Sequence, residues 1–85
     1  MAVHVGEYGP VLILKGEHAG QVGYYDDDDP HADGPDAAVV YLGEPFESDL
    51  VRVPHAALEK LRATNLHFER WKRKYPWLLK YMGVP

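Results

Sequence analysis

The sequence predicts a mainly β protein: a five-stranded small barrel in residues 1–53, with an α-helical extension in residues 54–85 packed on it as one domain. Three observations carry this. Short apolar runs in the first half are bounded by Gly and Pro. Gly16, Gly20 and Gly23 crowd the connection between the first two such runs, as a tight turn and a sharply bent strand require. From Pro54 onward the apolar period changes from about two to three or four residues.

Taken in order, Val3 and Val5 alternate with polar or small residues and give a weak edge strand. Val11, Leu12, Ile13 and Leu14 form a continuous apolar run, opened by Gly9-Pro10 and closed by Gly16, and predict a strand over residues 11–15. In residues 21–25 the pattern alternates, with Val22 and Tyr24 on one face. Residues 26–35 (DDDDPHADGP) read as a solvent-exposed loop, because adjacent carboxylates repel and Pro30, Gly34 and Pro35 break regular structure. Residues 37–42 (AAVVYL) predict a core strand, Gly43-Glu44-Pro45 a turn, and residues 50–53 (LVRV) a further strand ended by Pro54. Pro54 suits a first helical turn, with Leu58 and Leu61 following at i, i+3 spacing. Thr64 and Asn65 interrupt or restart the helix, and Phe68, Trp71 and Tyr75 then share one face. Pro76 forces a break, and Trp77, Leu78, Leu79, Tyr81 and Met82 make a last apolar turn before Gly83.

The stretch 9–25 resembles the KOW motif of small SH3-like barrels in ribosomal proteins and transcription-elongation factors. The match is Gly9, Val11, Ile13, Gly16, Gly20 and Gly23, about a fifth of the chain. The resemblance implies an SH3-like fold and contact with RNA or another protein. Such motifs often carry lysines around the turn; here Lys15 stands beside Glu17 and His18.

Charge divides the chain. Residues 1–53 hold two bases against eleven acids, a net −9, and residues 54–85 hold seven bases against two acids, a net +5. There is no cysteine, hence no disulfide and no thiolate metal site. No basic segment followed by an apolar core opens the chain and no run is long enough to span a bilayer, so a cytoplasmic protein without membrane contact is expected.

Three constellations bear on chemistry. Asp29-Pro30-His31-Ala32-Asp33-Gly34 has the outline of a calcium loop, but His31 stands where an oxygen ligand belongs and Val40 where the bidentate Glu would come. A solvated charge run, or a surface offered to a basic partner, accounts for it better, and no metal or other cofactor is expected. None of His4, His18, His31, His55 and His67 has a helical-spacing partner, Ser48 is the only serine, and no nucleophile motif occurs, so the chain reads as non-catalytic. The basic aromatic stretch Arg70, Trp71, Lys72, Arg73 and Lys74 suits nucleic acid, through phosphate pairing and stacking. Its helical aromatic spacing suits better a cover for the barrel by Phe68, Trp71 and Tyr75, with Trp71 mostly buried.

The expected role is a non-catalytic protein-binding module. Its partner-binding residues are Asp26, Asp27, Asp28, Asp29, Asp33 and Asp36, and its partner is a basic protein. A small, cysteine-free, acidic domain is similar in profile to bacterial immunity proteins, which implies a toxin as that partner. The alternative is a KOW-type nucleic-acid module using Arg70, Trp71, Lys72, Arg73 and Lys74.

Overall fold

Successive residues of a strand face opposite sides, and here both sides are apolar. The computed structural model describes residue 3, residues 6–29 and residues 37–82. It contains five strands: β1 Gly9–Ile13, β2 Val22–Asp29, β3 Ala37–Tyr41, β4 Leu50–Pro54 and β5 Leu58–Lys60. A 3-10 turn, His55–Ala57, joins β4 to β5, and two helices follow, α1 Phe68–Lys74 and α2 Leu78–Met82. The strands form one antiparallel sheet in the order β4-β3-β2-β1-β5. The sheet is not closed; β4 and β5 are its edges.

One face carries Val11, Ile13, Tyr25, Ala38, Val40, Val53 and Leu58, which pack with Val3 and Ala57 into a first core. On the other, Val22 packs with Leu61, Trp77 and Leu78 into a second, flanked by Leu12, Tyr24, Trp71, Tyr75 and Met82. Two layers over one sheet let a short chain bury apolar groups on both sides.

The β1–β2 connection follows from its glycines. Gly20 has φ +89°, a conformation L side chains avoid, and its N–H donates to the Ile13 carbonyl at 2.7 Å. The Ile13 N–H in turn donates to the Gln21 carbonyl at 2.9 Å, closing the hairpin.

The structure corrects the sequence reading at four places. The expected helix from Pro54 is a 3-10 turn followed by β5, so residues 58–60 supply the fifth strand found among the described residues. The spacing of three between Leu58 and Leu61 is an odd number of residues, which in extended chain places them on opposite faces, and each fills a different core. Position 5 lies outside the described residues, whereas Val3 is buried and its N–H donates to the Leu58 carbonyl at 3.1 Å. Second, the aspartate run is not loop from Asp26: β2 continues to Asp29, paired with the β-forming residues 37–40. Third, Trp71 is half-buried and Trp77 is the buried indole, because α1 ends at Lys74 and Pro76 turns the chain inward. Fourth, the five strands form an open sheet, not a closed barrel.

Candidate functional site

The four aspartates sit at the end of β2 and do four different things. The register between β2 and β3 shifts between Tyr25 and Asp27, a bulge that leaves Asp26 without a partner across the ladder. In an unbroken strand Tyr25 would share its face with Asp27. The extra residue instead brings Asp28 onto the core side, opposite the buried Ala38. Asp27 and Asp29 are thereby turned to the other face.

Asp28 is drawn into a polar knot. The Tyr25 hydroxyl donates to Asp28 Oδ1, the Tyr8 hydroxyl donates to Asp28 Oδ2 at 3.0 Å, and His55 Nε2 lies 2.9 Å from Oδ1 and 3.1 Å from the Tyr25 oxygen. The Gly6 N–H donates to the same phenol oxygen at 3.1 Å. His55 reaches the knot from the 3-10 turn two residues beyond Val53, which aligns with Ala38 and Asp28 across the sheet. The knot therefore ties the segment before β1, β2 and the turn after β4 together. Burial opposes the charge on Asp28, but the hydrogen bonds from Tyr25, His55 and Tyr8 outweigh it, and the carboxyl is held below its ordinary value. Burial first, and the hydrogen bond to Asp28 second, push the Tyr25 phenol from 10.0 to about 12.

These directions fix a pH dependence. A depressed carboxyl contributes stability above its unfolded value and loses it as pH falls through the folded one; a raised phenol contributes below its unfolded value and loses it as pH rises. The melting temperature of the parent is expected to fall in acid, and again between pH 10.0 and about 12. Asp28→Asn should flatten the acid limb and Tyr25→Phe the alkaline limb, measured by thermal melts across pH. Parallel profiles in parent and variants would show that the knot does not link folding to protonation.

The other acids face outward. Asp27 is exposed, and its Oδ1 accepts the Asp28 N–H at 2.8 Å. Asp29 pairs with Arg52 Nε at 2.7 Å, both side chains partly exposed. Asp33 and Asp36 lie outside the described residues, as does His31 of the calcium-loop outline. Among the described residues no three His, Asp or Glu side chains converge as a metal set. No helix there is long and apolar enough to cross a membrane.

The cations of α1 are not one surface. Consecutive helical residues lie about 100° apart, so only Arg70, Arg73 and Lys74, at i, i+3 and i+4, share a side, and all three are exposed. Lys72 turns back to Glu69 at 3.0 Å and over the Phe68 ring at 5.7 Å. Trp71 is half-buried, packed against the second core and tilted against the His67 ring at a centroid distance of 5.9 Å. Lys80 Nζ reaches Glu44 Oε2 at 3.3 Å, joining the basic C-terminal part to the acidic sheet.

Sequence reasoning gave Tyr8, Tyr25 and His55 no polar role. The only local signal was a tyrosine three residues before an aspartate, and that spacing points to one face only once a bulge is known. Comparison of the chain with protein-family models, with curated proteins and with solved structures gives no match.

Proposed function

We propose that the protein is a non-catalytic, cytoplasmic protein-binding module that takes a basic protein, of the kind a toxin offers an immunity protein, on its acidic β half. The observation that supports this best is the division of labour at the end of β2. Asp28 is consumed by the fold, whereas Asp27 is exposed and Asp26 and Asp29 are partly so. With Glu47 and Asp49, exposed ahead of β4, they make a field that steers cationic partners and repels phosphate backbones. The accompanying fold reading is a small SH3-like barrel left open at one seam. In its favour are the β1–β4 meander, the return of β5 against β1 and the close approach of β2 to β3 at Gly23.

A second reading has one observation in its favour: Arg70, Arg73 and Lys74 on one side of α1 offer a phosphate-binding stripe to a KOW-type nucleic-acid module. One experiment separates the two. The immobilised protein is exposed to cell extract beside a variant carrying Asp26→Asn, Asp27→Asn and Asp29→Asn, with Asp28 kept because it holds the fold. The parent should retain a basic protein that salt elutes and the variant should lose it. The melting temperature should change little, since exposed charges contribute about 0–1 kcal/mol. Equal retention by both proteins would contradict the acidic interface. RNA retained by both, and lost on neutralising Arg70, Arg73 and Lys74, would establish the second reading.

A further inference from the structure

The two edges of the sheet are not equivalent. β5 is covered, because the Val3 N–H donates to the outward Leu58 carbonyl. β4 has no such cover among the described residues. The Leu42 N–H donates to the Asp49 carbonyl at 2.9 Å, and the same register continues through Val40↔Val51 and Ala38↔Val53. In an antiparallel ladder hydrogen-bonded pairs alternate with non-bonded ones. The amides of Val51 and Val53 therefore face β3, and those of Leu50 and Arg52 point away from it. Pro54, which has no N–H to leave unpaired, occupies the next outward position.

A cavity of about 640 Å³ runs along this edge, lined by the whole of β4 and, across the gap, by Ile13 and the β1–β2 turn from Lys15 to His18. At its start Tyr41 pairs with Leu50 across the ladder, and the Phe46 ring lies 5.3 Å from that of Tyr41. Phe46 is 77% exposed and has φ +67°. A bulky residue held in left-handed backbone with its ring in water is neither a good turn residue nor core, which fits a role at an interface. The lining carries Glu17 and Asp29 with Lys15 and Arg52, Arg52 being already paired with Asp29, and the exposed Glu47 and Asp49 lie just ahead of β4 in the chain.

The geometry points to β4 as a strand-addition site: an extended segment of a basic partner protein pairs with the outward Leu50 and Arg52 amides, seats an apolar side chain on Phe46 and Leu50, and sets its cations against Glu17, Glu47 and Asp49. Main-chain pairing gives such a site affinity, and the alternating side chains give selectivity. It rests on the protein-binding reading above and assigns that reading its place in the sheet.

The probe is a synthetic peptide of alternating lysine and valine, titrated into the isotope-labelled protein and followed by amide shifts and hydrogen exchange. The Leu50 and Arg52 amides should shift and gain about tenfold or more protection on binding. Arg52→Pro removes an outward N–H that the ladder to β3 does not use; it should raise the peptide Kd about tenfold while the protein stays folded. Arg52→Gln, which keeps the amide, should bind as the parent does. If Arg52→Pro does not fold, Phe46→Ala decides: it relieves no ladder bond, should keep or raise the melting temperature, and should weaken the peptide by about fivefold or more. The site is overturned if the peptide fails to bind the parent, if the Leu50 and Arg52 amides stay unperturbed, or if both Arg52→Pro and Phe46→Ala bind unchanged. Partner capture that is lost with the three Asp→Asn changes but unaffected by Arg52→Pro would remove the edge and leave the acidic surface. Capture that resists both sets of changes would remove both.

Discussion

Trp77→Ala should cost about 3–5 kcal/mol and leave much of the protein unfolded at ambient temperature. Trp77 is 8% exposed and stands at the centre of the second core with Val22, Leu61 and Leu78. Its ring meets Tyr24, Tyr75 and Tyr81 edge-on, at centroid distances of 6.4, 6.5 and 6.0 Å. Edge-to-face aromatic pairs add about 0.5–1.5 kcal/mol beyond the area they bury, and truncation would forfeit three of them together with the packing on Leu78. At about 0.05–0.15 kcal/mol per residue a domain of this length holds only about 4–13 kcal/mol in all. Urea melts measure the loss directly. Fluorescence gives an independent check: Trp71→Phe should leave emission from Trp77 that iodide hardly quenches, whereas Trp77→Phe should leave a quenchable Trp71. A Trp77→Ala protein that melts with the parent would show that the helices do not hold the sheet.

Gly23→Ala should destabilise by about 1–3 kcal/mol or more, although alanine is the smallest possible change. A Cβ at Gly23 would stand 2.5 Å from the Tyr41 carbonyl oxygen and 2.7 Å from Val40 Cγ1. The first of these is backbone of β3 and cannot give way without parting β2 from β3. Gly23 thus has a different reason to be glycine from Gly20. Gly20 turns the chain through a left-handed conformation with open space around it, and Gly23 lets β2 lie close against the Tyr41 backbone and the Val40 side chain. Circular dichroism melts of Gly23→Ala and Gly20→Ala, side by side, separate the two. Suppression of the Gly23→Ala defect by Val40→Ala would locate part of the strain at Val40. An unaffected Gly23→Ala protein would contradict the tight approach of β2 to β3.

Much of this sheet was legible in the sequence where local signals agree. The apolar run 11–14, the Gly16 and Gly20 turn and the β-branched stretch before Tyr41 each have one natural conformation, and β1, β2 and β3 form there. Pro76 separates the two helices as its missing N–H requires. What escaped the sequence depends on contacts between distant residues. Leu58 and Leu61 carry a spacing that a helix and a two-sided strand satisfy equally, and the choice is made by Ile13 on one side and Trp77 on the other. The aspartate run is poor strand sequence by itself. It is held in β2 because residues 37–40 pair with it, because Arg52 meets Asp29, and because two tyrosines and a histidine surround Asp28. The bulge at Asp26, which decides which of four identical residues turns inward, has no local signature.

The central claim, that the outward acids of the β half recruit a basic protein, is tested most directly by the association rate of a captured partner as a function of ionic strength. Steering by exposed charge is screened beyond about 8–10 Å near physiological salt. For the parent the on-rate should fall steeply as salt rises, and for the Asp26→Asn, Asp27→Asn, Asp29→Asn variant it should start lower and change little, with dissociation less affected than association. An on-rate that is flat in salt for both proteins, or a salt dependence that vanishes only when Arg70, Arg73 and Lys74 are neutralised, would contradict it.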